Sequence, residues 1–188
     1  IIADLNYQLP TTNAFERIID HDTPWRSGQD LGGASLNVDT KIGSGTLTST
    51  TAWRFWTWDP SNDRDFTGLQ VLAKSQNPSR QTQFTQEVRY AGQLTSKISG
   101  VVGVFFIDQT SKTNGTEESG NAQWRFSQST TNTALWSTPG LFEGYGIKTN
   151  AKIHSTSTAV FGQIDWAITE RLHILPGLRY NYDSKDAD

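Results

Sequence analysis

Between Ser155 and Asp183 the side chains alternate in character with a period of two, and this pattern narrows the available folds more than any other feature of the sequence. Val160, Gly162, Ile164, Trp166 and Ile168 hold the even positions, with Ala159, Phe161, Gln163, Asp165 and Ala167 between them. After Thr169-Glu170-Arg171 the even positions carry Leu172, Ile174, Pro176, Leu178, Tyr180 and Tyr182. The odd positions carry His173, Leu175, Gly177, Arg179, Asn181 and Asp183. Successive side chains of a strand point to opposite faces, so the pattern makes two strands, each with an apolar and a mostly polar face. The short link predicts an antiparallel hairpin. Pro176 has no N–H to give a ladder, which predicts a bulge or a locally missing bond.

The same grammar recurs upstream. Leu36, Val38, Thr40 and Ile42 alternate with Ser35, Asn37, Asp39 and Lys41; Gly43-Ser44-Gly45 then marks a tight turn. In the strand that follows, Leu47, Thr51, Trp53 and Phe55 oppose Thr48, Thr50 and Arg54, with Trp56 and Trp58 crowding its far end. From Thr82 to Gly92, Phe84, Val88 and Tyr90 oppose Thr85, Glu87 and Arg89, whereas Ile98 to Asp108 is apolar on both faces. About six strands result. Their connections are short at residues 43–45, 93–97 and 169–171, and long at 59–80 and 111–154. Residues 1–33 carry turn formers and no sustained period, so a loop is expected there.

Cysteine is absent, which excludes a disulfide framework and thiolate chemistry. A formal charge of −3 favours no nucleic-acid partner. No apolar run approaches the ~18 residues of a membrane helix, but barrels cross with ~10-residue alternating strands. Methionine is also absent and the sequence opens on Ile1-Ile2, so an internal segment of a longer chain is expected. Asp20-His21-Asp22 reads as a polar loop, since adjacent residues converge on an ion only with a distant partner. No catalytic motif is present, and no enzyme activity, metal or cofactor is expected.

Three stretches carry a resemblance: Ala159 to Asp183; Phe84-Thr-Gln-Glu-Val-Arg-Tyr90 with Gly100 to Asp108; and Ser35 to Asp39 with Gly45 to Arg54. Together they resemble barrel hairpins of the TonB-dependent outer-membrane receptors. The resemblance implies an all-β chain, an antiparallel transmembrane β-barrel fragment with short periplasmic turns and long extracellular loops. Residues 1–33 would then be an extracellular loop region and 34–188 a partial barrel. It implies a bacterial outer-membrane importer of a scarce ligand (ferric siderophore, vitamin B12 or glycan), energised by the TonB complex through segments outside this sequence. Outer-membrane lipid would be a further partner.

On this reading Ile164, Trp166, Ile168, Leu172, Ile174, Leu178 and Tyr180 face lipid. Glu87, Arg89, Gln163, Asp165, Arg179 and Asn181 face the lumen. The long loop holds Trp124, Trp136, Phe142 and Tyr145, large anchors expected to contact ligand. Alternation alone also permits a soluble lectin-like β-sandwich with Trp124 and Trp136 on sugar. Both readings remain open at this point.

Overall fold

A computed structural model describes residues 5–128 and 131–188. Its strands are β1 (Arg26–Ile42), β2 (Gly45–Ser61), β3 (Leu72–Gln76), β4 (Ser79–Thr95), β5 (Ile98–Ser119), β6 (Gly146–Thr169), β7 (Leu172–Ile174) and β8 (Gly177–Ala187). They form one eight-stranded sheet ordered β1-β2-β3-β5-β6-β7, with β4 between β2 and β5 and β8 against β6. The chain is a fragment of an antiparallel all-β barrel.

Pro176 divides one expected run into two strands, and β3 is a strand within residues 59–80, where a loop was expected, parted from β4 by Pro78. β3 and β4 flank Asn77-Pro78, and β7 and β8 flank Leu175-Pro176. Register does not slip at Pro176: Trp166 pairs with Ile174 on one side and Gln163 with Gly177 on the other. The expected bulge is therefore not there. Only the donor is lost, while both proline carbonyls still accept, Pro78 from Asn114 N–H at 2.9 Å and Pro176 from Ile164 N–H at 3.0 Å. The one register shift in the β6–β7 pair lies beside the turn, between Ala167 and Thr169.

The strands also outrun the alternating stretches. β1 already runs through residues 26–33, β5 continues to Ser119 and β6 begins at Gly146. The connections reduce to Gly43-Ser44, Ser96-Lys97 and Glu170-Arg171 on the short side, and residues 62–71 and 120–145 on the long side. Gly43 takes φ +59°, a left-handed conformation that suits glycine in so tight a turn.

The chain forms two compact units. A sheet unit comprises Leu31–Trp56, Arg80–Lys112 and Lys152–Asp188; a loop unit comprises the residues up to Asp30, Thr57–Ser79 and Thr113–Ala151. In the sheet unit one face is apolar and bare. Val38, Val102, Val104, Val160, Ile164, Trp166, Leu172 and Ile174 are all exposed there, and Leu178 and Tyr180 reach 82% and 70%. On β6 this stripe runs from Val160 to Ile168, about 26 Å along the strand at ~3.3 Å per residue, or about 20 Å of height at the ~40° tilt of outer-membrane barrels, which falls within their ~25 Å apolar band.

Among the described residues of the sheet unit, Ala159 is the buried apolar residue. A sandwich would bury one face of each strand, so this unit has no sandwich core. Polar atoms on the bare face are satisfied locally. Gln86 accepts from Thr51 at 2.5 Å and donates to Ser49 at 3.0 Å. At the short-turn end, Tyr90 donates its hydroxyl to the Ile42 carbonyl at 2.9 Å, and its ring occupies the space a Cβ on Gly45 would take.

Candidate ligand-binding site

The polar face of the sheet unit is bound together by side chains. Arg179 opposes Phe161 across β6 and β8, its guanidinium 5.5 Å from the Phe161 ring and 5.4 Å from that of Phe105. Arg179 Nε donates to Asn181 at 2.8 Å. Arg89 pairs with Glu87 at 3.6 Å, and its Cβ lies beside Gly103, which also receives the Phe161 ring. Asp165 holds His173 Nδ1 at 2.6 Å. The structure thus places Glu87, Arg89, Arg179 and Asn181 in one neighbourhood of this face and Asp165 with His173. Gln163 opposes Gly177.

The loop unit contains a cavity of about 750 Å³, within the ~300–1,000 Å³ range of ligand pockets. It is lined by Trp58 and Pro60 on β2 and Asn62 and Arg64 after it, by Ser75 to Asn77, by Thr113 and Gly115 to Glu117 on β5, and by Ile147 and Thr149 on β6. Position on the strands explains the set: Trp58 and Pro60 alternate along β2 with Asn62 just past its end, and Thr113, Gly115 and Glu117 alternate along β5. Arg64 and Glu117 form an ion pair across the cavity lining. Trp58 Nε1 donates to Ser27 at 2.9 Å, which fixes the indole plane. Gln76 accepts from Arg26, which is itself held by both oxygens of Asp59 at 2.7 and 3.0 Å.

The family model described as TonB dependent receptor-like, beta-barrel matches residues 3–188. The chain belongs to this family of TonB-dependent receptors. No curated protein and no solved structure matches it. Members of the family serve TonB-dependent transport across the bacterial outer membrane and are transporters rather than enzymes. In this receptor segment, the four loop aromatics expected to anchor a ligand separate into two groups. Trp124 on helix α1 (Gln123–Ser127) and Trp136 on helix α2 (Thr133–Trp136) clamp the Arg125 guanidinium, at 3.9 and 3.6 Å from the ring centroids. Trp124 is buried. Phe142 and Tyr145 stand together, 6.5 Å between centroids, and Tyr145 is exposed two residues before Ile147 of the cavity lining.

A second polar cluster in the loop unit joins Asp22 to Asp63 and Asp65, whose ligand-type oxygens lie within 4.8 Å of one another. Asp22 thus has the distant partners that its sequence neighbours could not supply; His21 instead stacks on Trp25. The other two carboxylates are committed to backbone amides. Asp63, fully buried, accepts from the N–H groups of Asp22, Asp65 and Phe66, and Asp65 from those of Thr67 and Leu72. The cluster staples residues 20–23 to the 62–72 loop. Burial, with Asp65 and Asp63 adding repulsion, pushes the Asp22 carboxyl up to about 6.

The cavity residues escaped the sequence reading. Asn62, Arg64 and Glu117 lie in polar stretches without period, and only the ion pair joining Arg64 and Glu117 across the fold reveals their relation. Trp58 was legible as an aromatic at a strand end, but not as a cavity wall.

Proposed function

We propose that this chain is part of the barrel wall and extracellular rim of an outer-membrane receptor that captures a scarce ligand and imports it with TonB-supplied energy. The observation that carries this reading is the bare apolar face of the sheet unit, backed by a polar face and by no core. In water such a face would be an association hazard; against acyl chains it is the favourable surface. On this reading the apolar stripe of β6, β7 and β8 meets lipid, and Glu87, Arg89, Gln163, Asp165, Arg179 and Asn181 line the lumen. Moving Arg179 to the lipid side would cost ~2–4 kcal/mol at midplane. Loop aromatics and the cavity of the loop unit serve ligand capture, with Tyr145 the most accessible of the four.

Two measurements test this. With the receptor in bilayers carrying brominated acyl chains, Trp166 fluorescence is expected to be quenched by the lipid and spared by aqueous iodide; the reverse result would place that face in water. In cells, loss of TonB is expected to leave ligand binding intact and to abolish accumulation. Accumulation that persists without TonB would remove the transport assignment.

A further inference from the structure

The cavity of the loop unit has a chemistry narrow enough to name a ligand class, an inference that rests on the receptor reading above. Its lining holds two charged side chains, Arg64 and Glu117, and they neutralise one another. Nearby Arg26 is likewise taken by Asp59. The rest of the polar lining is amide and hydroxyl: Asn62, Gln76 and Asn77, with Ser75, Thr113, Thr116 and Thr149. Amides and hydroxyls both donate and accept, which suits a partner whose own groups do the same. Beside them stands the Trp58 indole, held in orientation by its bond to Ser27.

A multiply charged anion would be poorly served by this lining. Taking it out of water requires paired cations, and both nearby guanidiniums are already committed to carboxylates. A purely apolar ligand would strand the amides without partners. We propose that the cavity takes a neutral polyhydroxylated ligand, an oligosaccharide, with one sugar face on the Trp58 indole and its hydroxyls on Asn62, Asn77 and the threonines of β5 and β6. An indole presents an apolar plane to the C–H face of a pyranose while the ring's edge hydroxyls remain available for hydrogen bonds. The size of the cavity admits several sugar units.

The test uses the full receptor in detergent, titrated calorimetrically with a panel of neutral oligosaccharides (glucose-, xylose- and mannose-based hexamers) and, separately, with a ferric tris-catecholate as the anionic alternative. Saturable binding of at least one neutral hexamer is expected, weakened about tenfold or more by Trp58→Ala and several-fold by Asn62→Ala. Trp58→Phe should restore most of the affinity, and circular dichroism of each variant reports whether the sheet is intact. Neutral binding that ignores both substitutions in a folded receptor overturns the assignment to this cavity. Binding of the ferric catecholate with no neutral hexamer bound overturns the ligand class while leaving the receptor reading in place. A receptor that binds neither overturns the ligand class, and TonB-dependent accumulation then decides the transport reading independently.

Discussion

Asp22 is where a single side chain carries a measurable pH dependence. Its carboxyl is half-buried beside Asp65 and Asp63, so the folded loop unit holds that proton more tightly than the unfolded chain does, at about 6 against an ordinary 3.8. A raised carboxyl contributes stability that is fully present below the unfolded value and lost as pH climbs through about 6. Amides of the 62–72 loop are therefore expected to exchange faster at pH 7.5 than at pH 5, after correction for intrinsic rates. Asp22→Asn keeps the backbone N–H that Asp63 accepts and removes the charge, so it should flatten that dependence. Protection at pH 7.5 should rise by up to about tenfold, the shift being discounted for partial solvent access. An Asn variant with the same pH profile would assign the effect elsewhere. None of this was visible in sequence, because Asp22 and Asp63 meet only through loop closure. Arg125 was missed for a similar reason: its two indole partners sit on separate short helices, and no local spacing announces the clamp.

The strands were legible wherever one of their faces is apolar and the other polar. Ser35 to Ile42, Thr82 to Gly92 and the hairpin from Ala159 to Asp183 show this split. Where the chain leaves that band both faces become polar, the period disappears, and β5 beyond Asp108 or β6 before Ser155 reads as loop although the ladder continues. Proline acts at this scale too. Ile164 gives its N–H to the Pro176 carbonyl, so the two form the hydrogen-bonded kind of antiparallel pair, in which the reciprocal donor is the one proline lacks. Pro176→Ala supplies that donor to the Ile164 carbonyl without changing register. The variant receptor is expected to gain about 1 kcal/mol in urea unfolding from lipid vesicles, with β7 and β8 joined. Loss of stability instead would mean that the proline's restriction of the unfolded chain outweighs the restored bond.

At the scale of the whole segment the sheet has two flanks. β1 is paired with β2, and β7 and β8 with β6, so that among the described residues the other side of each edge strand has no partner in the strand order. Unpaired N–H and C=O groups in hydrocarbon cost several kcal/mol each, and in water the same edges recruit other chains. Refolded alone in plain buffer, residues 1–188 are expected to sediment as polydisperse oligomers that detergent disperses. A monodisperse monomer there would count against the membrane-wall reading, because the bare apolar face would then have found cover within the segment. The oligosaccharide cavity belongs to the loop unit and is tested separately.

The unequal connections decide where this receptor can be handled from outside. An extra residue at Gly43-Ser44 would break a turn that holds two strands in register and would displace the Tyr90 ring from its seat on Gly45. Between residues 123 and 142 the described residues form short helices and turns outside the strand ladders, so an insertion there leaves the ladders intact. An epitope or fluorophore graft therefore belongs in that long connection, and on the proposed placement of the loop unit at the extracellular rim an antibody raised to the intact cell would find its target there rather than on the short-turn side.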